Sequence, residues 1–185
     1  VEQELSSRNA VLAHAEQLVS WDKITITAAD PAAEALIEWA ITRFDEVGLE
    51  LPNVAITVHE SQDGCDGAAG MFRPGAHPRI DLCVLEDPTS MPARLITLHE
   101  LAHAWAETTL TDDEKQAFLD LRGLDHWIDR DTPRHEWGAE HIAEVVSWGL
   151  MDQKVRIIRI YDAKPEQLTE AFEFMVGTEP LCPTV

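Results

Sequence analysis

The sequence predicts an α+β fold, a small and mostly antiparallel sheet packed on several helices. Three observations lead there. Long stretches repeat apolar residues at helical spacing, most clearly Leu95, Leu98, Leu101, Ala102 and Trp105. Short β-branched or alternating runs are separated by turn residues such as Asp63-Gly64 and Asp66-Gly67. Helix boundaries carry matching start and stop residues. With 185 residues, 45% of them hydrophobic and six of them tryptophan, the chain can bury a proper core, and one domain over 1–185 is expected.

Taken in order, Glu2–Val19 reads as a weakly amphipathic helix, so residues 1–20 are expected to pack peripherally. Trp21–Thr27 is a connector or strand. Asp30-Pro31 supplies an N-cap and a first-turn proline, and the helix it opens ends near Gly48. Val54–Val58, Gly70–Phe72 and Arg79–Val84 are strands, most simply antiparallel. Met91-Pro92 opens a helix to about Thr108. Thr111-Asp112-Asp113-Glu114 has capping-box spacing and starts another, which stops at Gly123. After a polar loop containing Trp127, Thr132-Pro133 starts a helix ending near Gly149. Met151–Tyr161 is strand-like or a short helix, and Pro165–Val176 is a last helix closed by Gly177.

Thirty-four acidic residues against 14 Lys and Arg give a formal charge of -20. Such a surface repels phosphate backbones and anionic lipid, so neither nucleic acid nor a membrane is an expected partner. No apolar run reaches the roughly 18 residues that a membrane-crossing helix needs. The chain opens on Val1 without Met, as expected of a trimmed or processed product from which any signal peptide would already be missing. Of three cysteines, Cys65 and Cys83 bracket a hairpin region and could be bridged, leaving Cys182 over. Three reduced thiols in a bacterial cytosol are the favoured alternative, with a corresponding lean to the cytoplasm.

The chemistry concentrates in His99-Glu100-Leu101-Ala102-His103. Residues four apart on a helix share a face, so His99 and His103 can offer two imidazoles to one metal ion. Glu100 is turned by about 100° and can reach a metal-held water without being a ligand. The competing reading is a core helix whose histidines bond to carbonyls. Against it, two histidines and a glutamate on a mostly buried helix are costly unless something satisfies them. Ala106 and Thr109 stand where the metzincin extension has Gly and His, which excludes that class. A third ligand must come from elsewhere. The best stretch is Glu136–Val146, read as a helix with Glu140 and Glu144 four apart. One of these carboxylates could bind the ion while the other orients a ligand histidine.

His-Glu-Leu-Ala-His followed by a helix bearing Glu140-His141-Ile142-Ala143-Glu144 resembles the gluzincin metallopeptidases. Cys65-Asp66-Gly67, Arg79–Cys83 and Trp148-Gly149-Leu150 are also similar to a group of small bacterial putative zinc metallopeptidases. The resemblance implies a zincin-like fold and one Zn²⁺ per chain held by His99, His103 and Glu140, with Glu144 behind a ligand. It implies Glu100 as general base and a peptide or protein as substrate. It also implies that an edge strand, either Arg79–Val84 or the one ending at Phe72, borders the cleft and pairs with substrate. His14, His59 and His77 are expected to be ordinary surface, loop or strand residues. Tyr161, His126, His135 and His141 are candidates for a second oxyanion donor. A non-catalytic zinc domain serving as a binding or regulatory module is the alternative.

Overall fold

The computed structural model describes residues 17–21 (backbone alone), 23–28, 30–83, 87–156, 160 and 164–182. Five strands form one mixed sheet: β1 (Gln17–Trp21), β2 (Ile24–Ala28), β3 (Val54–His59), β4 (Gly70–Arg73) and β5 (Arg79–Cys83), in the order β1-β2-β3-β5-β4. The described helices are α1 (Pro31–Glu46), α2 (Met91–Thr109), α3 (Asp112–Arg122), α4 (Gly138–Leu150) and α5 (Pro165–Val176). The α+β class therefore stands.

The sheet is not mostly antiparallel. β1 runs antiparallel to β2 and β4 to β5, but β2–β3 and β3–β5 are parallel. β5 lies beside β3 because β4 takes the outer place, and for β2–β3 the reason lies in the connection. Asp30 caps α1 by accepting from the Ala32 N–H at 2.9 Å, and this 16-residue helix carries the chain back along the sheet. A crossover of that kind delivers the next strand parallel to the last. The expected peripheral helix also needs correction: Gln17–Trp21 is a strand paired with β2, and the earlier part of that helix lies outside the described residues. The expected element over Met151–Tyr161 is irregular through 151–156 and beyond that falls largely outside the described residues.

One contiguous core runs from β2 to α5, including Ile26, Ile37, Phe44, Ile56, Leu82, Leu98, Leu101, Phe118, Ile142 and Phe172. The α2–α4 pair lies at its centre, with Leu98, Leu101, Ile142 and Val145 fully buried. Each such side chain contributes about 1.5–3 kcal/mol. That packing offsets the cost of burying the polar groups the same two helices carry. Ser90 caps α2, accepting from the Ala93 N–H at 3.3 Å. Arg94 ties its first turn to Asp152 at 2.8 Å and lies over the Trp39 ring of α1. Thr111 and Glu114 form the expected capping box on α3, and Gly123 closes that helix at a φ of 65°.

Cys65 and Cys83 are joined by a disulfide, so the favoured reading of reduced thiols is corrected; Cys182 is free. The sheet makes the difference. The 3-10 turn Gln62–Cys65 packs on β5, bringing together two thiols 18 residues apart. Beside them, Asp81 gathers His59 (2.8 Å) and Arg73 (2.9 Å), and Arg73 also reaches Asp66 at 3.1 Å. The loop leading into β4 is therefore pinned by a covalent bond and an ion-pair cluster. No helix among the described residues is long and apolar enough to cross a membrane.

Candidate metal centre

His99 and His103 lie one turn apart on α2 with their Nε2 atoms 3.0 Å from each other and their rings nearly perpendicular. From α4, Glu140 Oε2 stands 3.4 Å from His99 Nε2 and 3.7 Å from His103 Nε2. The three ligating atoms fall within 4.8 Å of one another, and this is the group among the described residues that can hold a metal ion. A triangle with those edges places a point about 2.0–2.1 Å from all three atoms, within the range of metal–nitrogen and metal–carboxylate bonds. Two nitrogens and one carboxylate oxygen suit a borderline divalent cation. The residues present therefore fit an ion.

Glu144, one turn beyond Glu140, sets its Oε1 3.2 Å from His99 Nδ1, the far side of the same ring. The contact is at ion-pair distance but out of line for a straight hydrogen bond. It favours the proton on Nδ1 and leaves the Nε2 lone pair facing the centre. The two carboxylates differ in what they face. Glu140 faces both Nε2 atoms, whereas Glu144 faces the back of one ring.

Charge in the cluster is strongly coupled. Burial by itself would lower the His99 pKa, but the carboxylates of Glu140, Glu144 and Glu100 raise it to about 9. Burial would raise that of Glu140, yet contacts with His103 and His99 hold it well below the usual carboxylate range. One carboxylate faces both imidazoles and two more lie close by, an arrangement that favours positive charge at the centre.

Glu100 is 5% exposed and is not one of the three converging groups. It lines a cleft of about 470 Å³ shared with His99, His103 and Glu140. Its side chain lies against Gly70 of β4, where a Cβ would come within 2.8 Å of Glu100 Cγ. The absence of a side chain at Gly70 is what lets the carboxylate sit between helix and strand. β4 is an outer strand of the sheet and β5 an interior one, so of the two strands expected to border the cleft it is β4 that does so. The opposite wall is the α3–α4 connection, with Trp127, Ile128, Arg134 and Trp137.

That wall was missed in the sequence. The Glu140 helix was expected to start at Thr132-Pro133; instead a 3-10 turn spans Arg134–Glu136 and α4 begins at Gly138. The Gly138 N–H bonds to the His126 carbonyl and the Ala139 N–H to that of Trp127. The connection thereby folds back over the cleft. The available signal was two tryptophans in the segment joining the two ligand-bearing helices.

Among the other histidines, His59 pairs with Asp81 and His77 is exposed, as expected. His126 pairs with Asp129 and His135 with Glu136, and His141 is bonded to the His135 carbonyl at 2.9 Å. None of these three lines the cleft. His14 and Tyr161 lie outside the described residues. A larger hollow, about 1110 Å³ around Trp148 and Phe174, contains none of the ligating residues. No family model, curated protein or solved structure matches this chain.

Proposed function

We propose that this chain is a zinc-dependent peptidase of zincin-like architecture, with His99, His103 and Glu140 as ligands and Glu100 as general base. The observation that carries the reading is the convergence of those three ligating groups within 4.8 Å in a cleft that Glu100 also lines. When bound, zinc supplies Lewis acidity, polarising an amide carbonyl and lowering the pKa of a water it holds towards about 7. Glu100 takes the proton of the attacking water and passes it to the departing amine. Its burial against Gly70 keeps competing solvent away from the carboxylate. Glu144 holds the His99 ring in the tautomer that binds. Among the described residues no strand pairs with the outer side of β4, Gly70–Arg73, and an extended peptide can add there as a further strand. The Cys65–Cys83 bridge that braces this edge suits work in an oxidising compartment rather than the cytoplasm.

The alternative, a non-catalytic zinc module, is less favoured because structural zinc sites are normally closed by four protein ligands and have no use for Glu100. The test is metal content and peptide cleavage measured together. Wild type should carry one zinc per chain and cleave members of a peptide pool. Glu100→Gln should keep the zinc and lose at least about a hundredfold in turnover, while Glu140→Ala should lose the zinc. Undiminished cleavage by Glu100→Gln would remove it as the base. Zinc without any cleavage in wild type would favour the binding module.

A further inference from the structure

Resting on the peptidase reading for its setting, we propose that Arg134 is a specificity-determining residue that receives a carboxylate of the substrate. Arg134 is the one Lys or Arg among the described residues that line the cleft. The acids lining the same cleft already have positive or protonatable partners. Glu107 lies 3.3 Å from Lys115, and Glu140 stands beside His99 and His103. Glu100 lies in the field of His99. Arg134, by contrast, has no carboxylate of a described residue at ion-pair distance; its close partner is the Trp137 ring, 5.9 Å from the guanidinium carbon to the centroid.

Acidic neighbours are common in this chain. Asp and Glu outnumber Lys and Arg 34 to 14, and Arg43, Arg73, Arg79, Arg94, Lys23 and Lys115 each have an acidic neighbour. A guanidinium left without one, in a cleft, is available to an incoming acid. Its fork matches a carboxylate in a bidentate pair.

The residue is also positioned. It opens the 3-10 turn Arg134–Glu136, only six residues before Glu140. Trp137, over whose ring it lies, is held by its own indole N–H to Thr132 Oγ1 at 3.0 Å and to the Thr132 carbonyl at 3.2 Å. Arg134 is exposed at the mouth of the cleft, and the β4 side across from it carries the apolar Met71 and Phe72. The overall charge of -20 argues against polyanionic ligands and leaves a single carboxylate as the fitting partner. That carboxylate can be a peptide C-terminus or an Asp or Glu side chain.

The test uses the protein as purified, with its metal content measured, in the Glu100→Gln background so that nothing turns over. Binding is read from tryptophan fluorescence with two pairs of probes: acetyl-phenylalanine against its amide, and acetyl-glutamic acid amide against acetyl-glutamine amide. Wild-type Arg134 should favour one acid over its neutral partner by about tenfold, the scale of one charge-assisted pair. Arg134→Gln should abolish that preference with metal content unchanged, and Arg134→Lys should restore part of it. A preference in the first pair identifies the terminus, and in the second the side chain. Equal binding of acid and neutral probes by wild type overturns the proposal. So does an unchanged preference in Arg134→Gln, which would put the carboxylate on the metal. A preference that depends on Arg134 in a protein that cleaves no peptide would leave the carboxylate site standing and sink the peptidase reading instead.

Discussion

At the scale of single residues, the site depends on which atom of each group faces inward. His99 uses both ring nitrogens, Nε2 towards His103 and Glu140 and Nδ1 towards Glu144. Glu144→Ala should therefore weaken metal binding by about 10–100-fold without removing a ligand, the usual scale for a residue that orients one. Competition against a chelator of known affinity measures this, and unchanged affinity would mean that the 3.2 Å contact orients nothing. Gly70 acts on Glu100 through absence. A methyl group there would meet Glu100 Cγ at 2.8 Å and Ile96 at 3.0 Å. Gly70→Ala should shift the carboxylate and cut turnover while leaving metal content near one per chain. Loss of metal and activity in parallel would instead indicate a general disturbance of α2.

At the scale of elements, β4 and β5 form the wall against which the active helix rests, and Asp81 is the ionic knot behind it. Burial raises the pKa of its carboxyl, but hydrogen bonds from His59 and Arg73, with the charge of Arg79 nearby, lower it below the ordinary aspartate value. A carboxyl whose folded pKa is depressed adds stability above its unfolded pKa, about 3.9. That contribution disappears as pH falls through the lower, folded value. Thermal midpoints of wild type should consequently drop on acidification below about pH 4 more steeply than those of Asp81→Asn. Parallel acid limbs for the two proteins would show that Asp81 is not the group responsible. The α2–α4 pair is the other decisive element. Each helix alone would carry its imidazoles or carboxylates without the other's; together they set Glu140 and Glu144 beside His99 and His103.

At the scale of the whole molecule, an ion bound only by the folded state links metal to global stability. Removing it with a chelator should lower the melting temperature by about 5–10 °C if the ion was present at roughly a hundred times its Kd. Glu140→Ala, lacking the third ligand, should melt at the same temperature with or without chelator. A wild-type midpoint indifferent to chelation would mean that the His-His-Glu group does not hold an ion in solution.

What could be read without the fold is what is local. His99, Glu100 and His103 are related by one helical turn, and periodicity alone puts them on α2 within a residue of its observed end. Caps and turn glycines likewise marked α1, α3 and α5, because each is decided by neighbours a few residues away. The rest depends on distant segments meeting. Glu140 and Glu144 have the same spacing logic, and only the crossing of α4 on α2 decides which carboxylate faces both Nε2 atoms. The parallel β2–β3 pairing follows from the α1 crossover, the parallel β3–β5 pairing from β4 taking the outer place beside β5, the Cys65–Cys83 bridge from the packing of a 3-10 turn on β5, and the Trp127–Arg134–Trp137 wall from a loop folding back on itself. Sequence spacing reports short-range backbone geometry, whereas these depend on packing energies shared across the chain, and so only the tertiary structure decided them.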